Sequence, residues 1–474
     1  MQMLIGRSEE QARLKRLLAS RKSEFVVLYG RRRVGKTFLV KTTFQNSFAF
    51  YATGSQGGDS REQLRIFNEE IVNHGGAPLE KATSWHEAFE NLNKLIAAKP
   101  QGAKKVVFLD EISWMGSSDT HFLSALDHFW NRWASSRDDV ILIVCGSATS
   151  WIINNIVNDT GGLHNRLTDQ IRLEPFTLGE CEEYFKVAGT PLPRYQTLEF
   201  YMIFGGIPYY MDFYQGDRSP AQNIDRLYFA PGAPLANEYA NLYQALFKNP
   251  ERYLSVVEAL GSKKKGLTRE ELSDASKIKG GGTLTQILID LINCGFVREY
   301  LAFGKKHRDK IYQLIDPFTL FHLTFAEKQK RHVENFWQQY SATPAHSTWS
   351  GYAFELVCLL HVREIKRALG ISGVLTEISS WRSKTSVPGA QIDLVLDRSD
   401  GIINLCEMKY SMDEYYIDKE YSKRLREKTA AFLTETRTRK AAHTTLVTTY
   451  GLARNEHSAR ILFQLTMEDL FSRT

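Results

Sequence analysis

Phe25-Val26-Val27-Leu28-Tyr29-Gly30-Arg31-Arg32-Arg33-Val34-Gly35-Lys36-Thr37 is an apolar run that passes directly into the pattern Gly-x-x-x-x-Gly-Lys-Thr. The run reads as a buried strand, the glycines as a tight loop, and the residues after Lys36 as the start of a helix. Strand, loop and helix N-terminus in that order make a cradle for phosphate. Gly30 and Gly35 let backbone N–H groups wrap anionic oxygens, with Arg31, Arg32, Arg33 and Val34 forming the loop between them. Lys36 is long enough to reach the β and γ phosphates, and the Thr37 hydroxyl can ligate Mg²⁺. The pattern predicts a site for a nucleoside triphosphate, ATP, together with Mg²⁺.

A second run agrees with the first. Lys104 to Asp110 is again a strand of apolar residues, and it ends in Asp110 and Glu111. Asp110 is placed to hold the Mg²⁺ shell and Glu111 to polarise an attacking water. A glycine turn or a strand-end carboxylate alone has a purely structural explanation; the two linked motifs together point to triphosphate hydrolysis.

Working outward, strand-like runs at 25–30, 48–54, 104–110, 139–147 and 170–176 alternate with helical spacing at Phe38–Phe44, Arg61–Gly75 and Trp85–Ala98. Alternation of this kind predicts a parallel sheet with helices on both faces, here over residues 1–177. Residues 178–249 carry helical patterning with aromatics and the turn Gly205-Gly206-Ile207-Pro208, which reads as a helical lid. Residues 250–316 read as a winged helix: three helical pieces, then strand-like Phe296–Phe303 and Lys310–Leu314 joined by Gly304-Lys305-Lys306-His307-Arg308. In contact with DNA, Thr283 to Gln286 would open its recognition helix and the Lys305–Arg308 tip would touch phosphate. Such a module also serves as a packing or relay element, and both readings stand at this point. Residues 317–349 form a helical connector broken at Ala342-Thr343-Pro344-Ala345, and the last domain is expected over 350–474.

That last stretch holds a second set of chemical residues. Glu355 lies in the helical run Ala353–Leu369, Asp393 in the strand Gln391–Leu396, and Glu407 with Lys409 in the strand Ile402–Met408 and its end. Alternation puts Glu407 and Lys409 on one face, where a hairpin partner can bring Asp393 beside them. Asp393 and Glu407 can hold Mg²⁺ while Lys409 steadies a nucleophile or developing charge, which suits phosphodiester hydrolysis. Glu-x-Lys on an edge hairpin also serves solubility alone.

A chain of 474 residues needs several cores. With 43% hydrophobic and 24% charged residues it has the make-up of a soluble protein, and no apolar run is long enough to span a bilayer. Cys145, Cys181, Cys294, Cys358 and Cys406 are scattered singly, without zinc-ligand spacing, so a reducing cytoplasm and no zinc are expected. The net charge of +6 is mild, but basic residues cluster at 31–33, 263–265, 305–308 and 328–331, which fits a polyanion such as DNA as well as a solvated surface.

Ile5-Gly6-Arg7 with Glu9 or Glu10, the loop Gly30–Thr37, Phe108-Leu109-Asp110-Glu111-Ile112-Ser113, Cys145-Gly146-Ser147, Leu163-His164-Asn165-Arg166 and Gly205-Gly206-Ile207-Pro208 together resemble the prokaryotic P-loop ATPases of the archaeal ATPase clade, near the STAND branch of the AAA-like enzymes. The resemblance implies that Ser147 is the sensor residue at the γ phosphate, Arg166 an arginine sensor or finger acting in its own subunit or across an oligomer interface, and Pro208 the lid residue against adenine. It also implies a nucleotide-dependent homo-oligomer. The C-terminal part is similar to the PD-(D/E)xK nuclease fold, with Glu355, Asp393, Glu407 and Lys409 on its catalytic pattern and Gln391-Ile392-Asp393 where that fold has Pro-Asp. The expected architecture is therefore an α/β multidomain chain: a parallel-sheet ATPase core, helical lid, winged helix and nuclease-like domain. Two functions follow, an ATP-dependent protein that acts on DNA through a Mg²⁺-dependent nuclease-like domain, or a nucleotide-dependent switch whose last domain is a non-catalytic platform for protein or DNA. A metabolic kinase is set aside, since no acceptor-site pattern is visible.

Overall fold

Five short strands, β1 (Glu24–Gly30), β2 (Phe50–Thr53), β3 (Lys105–Asp110), β4 (Val140–Gly146) and β5 (Asp169–Leu173), form one sheet in the order β2-β3-β4-β1-β5. All four pairings are parallel. β3 and β4 are buried along their whole length, and β1 nearly so, which is why their sequences are continuous apolar runs rather than alternating ones. The computed structural model describes residues 4–75, 81–119, 121–158, 161–163, 165–305, 309–383 and 390–472. Helices Ser60–Asn73, Trp85–Ala97 and His121–Arg132 cover one face with a slab of aromatic side chains in which Phe67, Trp85, Phe89 and Phe122 meet at 4.7–6.0 Å. Asp59 and Ser84 start the first two of these helices by accepting from the N–H groups of Glu62 and Glu87.

The insertion of β4 between β1 and β3 matters for function. It places the end of β4, with Ser147, between the phosphate loop that leaves β1 and the carboxylates that end β3. In a parallel sheet all three lie along one carboxyl edge.

The chain divides into two compact units, residues 1–175 with 244–248, and residues 176–243 with 249–474. The second unit begins with the helical span 176–243, in which Thr177 caps the helix Leu178–Val187 through a reciprocal bond with Glu180. Gly206 is required there: a Cβ would stand 1.9 Å from the carbonyl oxygen of Phe176, whose N–H donates to Gly206 O at 2.7 Å. Pro208 opens the helix Pro208–Met211, where its missing N–H costs nothing.

Residues 250–314 form three helices, Pro250–Ser262, Arg269–Ser276 and Gly282–Asn293, with a three-stranded antiparallel sheet of β6 (Leu267–Thr268), β7 (Val297–Leu301) and β8 (Lys310–Leu314) in the order β6-β8-β7. Of the expected basic tip, Lys305 is described, whereas Lys306, His307 and Arg308 lie outside the described residues.

A second five-stranded sheet follows, made of β9 (Thr376–Arg382), β10 (Gln391–Arg398), β11 (Ile402–Lys409), β12 (Ala441–Thr448) and β13 (Phe463–Thr466) in the order β13-β12-β11-β10-β9. It is mixed: β9, β10 and β11 pair antiparallel, while β11, β12 and β13 pair parallel through the crossover helix Lys419–Thr436. Two expectations need correction here. The helix carrying Glu355 runs from Pro344 to Leu360, so the boundary drawn at Ser350 falls inside it; the connector does break where expected, between the helix Phe336–Tyr340 and this one, with Thr343 as cap and Pro344 in the first turn. The run read as one helix to Leu369 is two, because the backbone leaves helical geometry at His361 before Val362–Ala368 resumes.

Candidate functional site

At the carboxyl edge of the first sheet, the loop 30–35 turns through positive φ at Gly30 (146°), Arg33 (71°) and Gly35 (90°). Gly30 has no alternative, since a Cβ would lie 2.2 Å from Leu173 O on the neighbouring β5. Gly35 starts the helix Lys36–Thr43, whose free N–H groups and positive dipole end face the loop. The Lys36 ammonium sits inside this concavity and donates to Gly30 O (3.0 Å), Arg31 O (2.9 Å) and Ser147 Oγ (3.2 Å). Thr37 Oγ1 donates to Asp110 Oδ2 at 2.7 Å.

Asp110 is 3% exposed, and burial raises its carboxyl above the ordinary range, with the charge of Glu111 adding to the rise and the Thr37 hydroxyl opposing it. A divalent cation relieves that cost. The adjacent Thr37 hydroxyl and Asp110 carboxylate fit Mg²⁺, which takes one or two protein oxygens and completes its shell with phosphate and water.

Glu111 is held just as firmly. Its backbone is left-handed (φ 46°), and its carboxylate accepts from Ser147 Oγ (2.7 Å) and Ser147 N (3.1 Å). Gly54, at the end of β2, makes room for this turn, since a Cβ there would stand 2.6 Å from Glu111 O. A carboxylate has about four lone-pair sites, so two remain for a water. Lys36, Ser147 and Glu111 thus form one hydrogen-bonded row along the sheet edge.

Arg166 is elsewhere. It lies three residues before β5, on an exposed turn, and β5 starts opposite Val26. Gly30 is four residues farther along β1, about 13 Å at the usual strand rise, so Arg166 stands at the amino edge of the sheet and not beside the loop of its own chain. Pro208 belongs to the second unit.

In the second unit, β10 and β11 pair with Leu394 opposite Cys406. One step further in the same register sets Asp393 across from Glu407. The helix Pro344–Leu360 packs on β11 and presents Glu355, whose carboxyl is pushed up to about 7, first by burial and then by the charge of Asp393, with Lys409 opposing and Glu407 adding. Asp393, Glu407 and Lys409 therefore all act on Glu355. Lys409 Nζ lies over the Tyr421 ring at 5.1 Å, and Lys428, from the same helix as Tyr421, donates to Glu407 at 2.6 Å. Lys428 and Tyr421 escaped the sequence reading because they sit in a polar helix whose site-facing side carries no motif. Asp393 accepts from Gln391 Nε2 at 2.6 Å. Among the described residues no group of three or more His, Cys, Asp or Glu is arranged to hold a metal ion.

Comparison with known proteins bears on the N-terminal part of the chain. Residues 4–212 match the family described as an ATPase domain predominantly from Archaea. An uncharacterized protein of Methanocaldococcus jannaschii is 22% identical over 419 residues, covering 86% of this chain and 88% of that one. An uncharacterized ATP-binding protein of the same organism is 46% identical over 44 residues, 9% of this chain and 75% of its own. Among solved structures, the Walker-type ATPase PABY2304 of Pyrococcus abyssi shares the fold with a TM-score of 0.50 at 16% identity, over 68% of this chain and 96% of that one. These likenesses, with the geometry of the phosphate loop, support a P-loop ATPase domain in the N-terminal part of the chain, with ATP binding and hydrolysis as its activity. No helix among the described residues is long and apolar enough to cross a membrane.

Proposed function

We propose that the chain couples ATP hydrolysis to action on DNA, with residues 350–474 as a Mg²⁺-dependent nuclease-like domain and residues 178–316, a lid and a winged helix, as the relay. In the ATPase step Lys36 would bind the β and γ phosphates, Thr37 and Asp110 would hold Mg²⁺, and Glu111 would orient the attacking water and take its proton, itself positioned by Ser147. Bound Mg²⁺ supplies charge neutralisation at the phosphates.

The observation that carries the DNA reading is the convergence of Glu355, Asp393, Glu407 and Lys409 in a fold unit joined to an ATPase. Three carboxylates and an amine, largely withdrawn from water, are costly to gather without a use. Asp393 and Glu407 would hold the metal, Lys409 would steady the attacking water or the developing charge, and Glu355 would complete the acidic side.

A second reading has its own support: Glu407 is already neutralised by Lys428, which suits a platform that binds protein or DNA without cutting. A cleavage assay separates them. Supercoiled, linear and single-stranded DNA are incubated with Mg²⁺ or Mn²⁺, with and without ATP, using wild type, Lys409→Ala and Lys36→Ala. Cutting that is lost in Lys409→Ala and altered in Lys36→Ala supports the nuclease; ATP hydrolysis with no cutting under any condition favours the platform.

A further inference from the structure

The two sheets of the second unit are joined. Just beyond β7, Ala302 bridges Ser380 of β9, Phe303 N donates to Ser380 O at 2.7 Å, and the Phe303 ring packs on Phe432 at 4.9 Å within the last domain's core. The wing formed by β7 and β8 is thereby pinned to the edge strand next to β10, the strand that carries Asp393.

Pinned this way, it turns cations toward the carboxylates. Tyr352 lies three residues before Glu355 and so on the same helix face. Its hydroxyl donates to Lys264 O at 3.1 Å, and Lys264 Nζ stands over its ring at 4.6 Å. Gln313 of β8 donates to the same carbonyl at 2.8 Å and accepts from Arg298 Nε of β7 at 2.8 Å. An unbroken chain of hydrogen bonds thus runs from Arg298 to the helix of Glu355. The charges also act across the gap without contact: burial works against the cationic forms of Arg298 and Lys264, Asp393 favours the first and Glu355 the second, and Lys265 acts on Glu355 in turn.

Lys263, beside them, is ion-paired with Glu271 at 2.7 Å, whereas among the described residues no carboxylate lies within 4.0 Å of Lys264, Lys265 or Arg298. Cations left without a close carboxylate, Lys264 and Lys265 exposed and Arg298 half-buried, are suited to an anion arriving from outside.

We propose that the wing completes the carboxylate site as its phosphate-binding wall, so that a DNA strand lies between wing and last domain with its backbone phosphates on Arg298, Lys264 and Lys265. The proposal rests on the nucleolytic reading of Asp393, Glu407 and Lys409. It gives these three cations direct contact with substrate, a task different from that of the expected recognition helix, whose Thr283, Thr285 and Gln286 are exposed on another part of the module.

The test uses the full chain and a fluorescein-labelled DNA oligonucleotide. Binding is followed by anisotropy in Ca²⁺ across a salt series, and cutting is followed in Mg²⁺. The variants are Lys264→Ala/Lys265→Ala, whose side chains are exposed and leave the carbonyl bonds intact, Arg298→Gln, Arg298→Lys and Asp393→Ala. The lysine pair should weaken binding about tenfold and reduce the slope of log K against log salt by about 1.5, the sum for two phosphate contacts. Cutting by that variant should show a raised KM with kcat within about threefold. Arg298→Gln should lose about one further contact, and Arg298→Lys should restore it. If the slope is unchanged in both neutralised variants while Asp393→Ala abolishes cutting, the nuclease stands and the wing is only its support, which overturns the proposal. If the lysine pair loses slope but neither binding nor cutting depends on Asp393, the basic surface holds DNA apart from the carboxylates, and both readings fail. Absence of DNA binding by wild type also overturns it. Should Arg298→Gln not fold, the lysine pair decides alone.

Discussion

Ser147 is the place where the ATPase geometry makes its sharpest prediction. The Glu111 carboxylate accepts from the Ser147 hydroxyl at 2.7 Å and from its backbone N–H at 3.1 Å, and only the first bond is lost in Ser147→Ala. A hydrogen bond to a charged group contributes about 1.5–3 kcal/mol, and with the backbone bond retained the lower part of that range, about 1.5–2 kcal/mol, applies. If that energy orients Glu111 for attack, kcat falls by about 10–30-fold. The KM for ATP stays within about threefold, because Lys36 keeps its place through Gly30 O and Arg31 O. Steady-state ATPase assays measure both. The deciding arm is Glu111→Gln, which preserves shape and one acceptor oxygen for the Ser147 hydroxyl but cannot take a proton, its amide nitrogen being unable to accept from Ser147 N–H. Should Ser147 act through Glu111, adding Ser147→Ala to Glu111→Gln lowers the residual rate by less than about twofold. Persistence of the full 10–30-fold loss in the double variant refutes the reasoning and puts Ser147 on the phosphate itself, the role its resemblance to a sensor residue implies.

Lys36→Ala should abolish triphosphate binding, read by fluorescent-nucleotide titration, while Glu111→Gln binds and stalls; normal turnover in Glu111→Gln removes it from the mechanism. Lys428→Ala frees Glu407 and should tighten Mn²⁺ binding by about 2–5-fold in calorimetry, the worth of a partly exposed ion pair; unchanged affinity argues against Glu407 as a ligand. Burial raises the Glu199 carboxyl from 4.5 to about 7 against the opposing bond from Tyr410, so the folded chain holds a proton that the unfolded chain releases, and wild-type stability falls as pH rises from 4.5 to 7 and remains lower above it. Glu199→Gln removes that loss and should gain about 1–3 kcal/mol on wild type at pH 8 with little gain at pH 4.5, read from urea midpoints; an equal effect at both values contradicts the burial argument. Arg166→Ala mixed with Lys36→Ala should recover ATPase activity neither has alone if Arg166 serves a neighbouring copy, and no recovery removes that role.

The first sheet was legible because its chemistry and its folding use the same residues. Continuous apolar runs at β1, β3 and β4 mark strands covered on both faces, and the glycines that shape the phosphate loop are visible as residue types. Strand order was not legible: nothing local in Val140–Gly146 says that it inserts between β1 and β3, although that insertion is what puts Ser147 between Lys36 and Glu111. In the last domain the motif residues were legible and their partners were not. Lys428 and Tyr421 join the site through the crossover helix Lys419–Thr436 between β11 and β12, and Tyr352 through the helix Pro344–Leu360 that packs on β11; none of the three positions carries a motif. The break before Pro344 was legible, whereas the helix that starts there was not followed through Ser350, because nothing local in the sequence marks where that continuous helix ends.

A site divided between two modules has a consequence for control. Arg298, Lys264 and Lys265 belong to one module and Asp393, Glu407 and Lys409 to the other, and the two are tied by one strand bridge, a few hydrogen bonds and the Phe303–Phe432 contact. Charge-assisted contacts to phosphate have a preferred length near 2.8 Å, and their orientation is lost when one wall moves by an ångström or two. A displacement of the wing far smaller than unfolding would therefore separate phosphate binding from the carboxylates and leave both halves intact. Such a site closes only when the wing is seated, so any nucleotide-linked movement that reaches residues 250–316 acts on cleavage through position, without altering a single residue of the carboxylate cluster. This gives the relay reading of the winged helix a physical content: it need not read DNA sequence to matter, because it supplies part of the surface on which the strand is held.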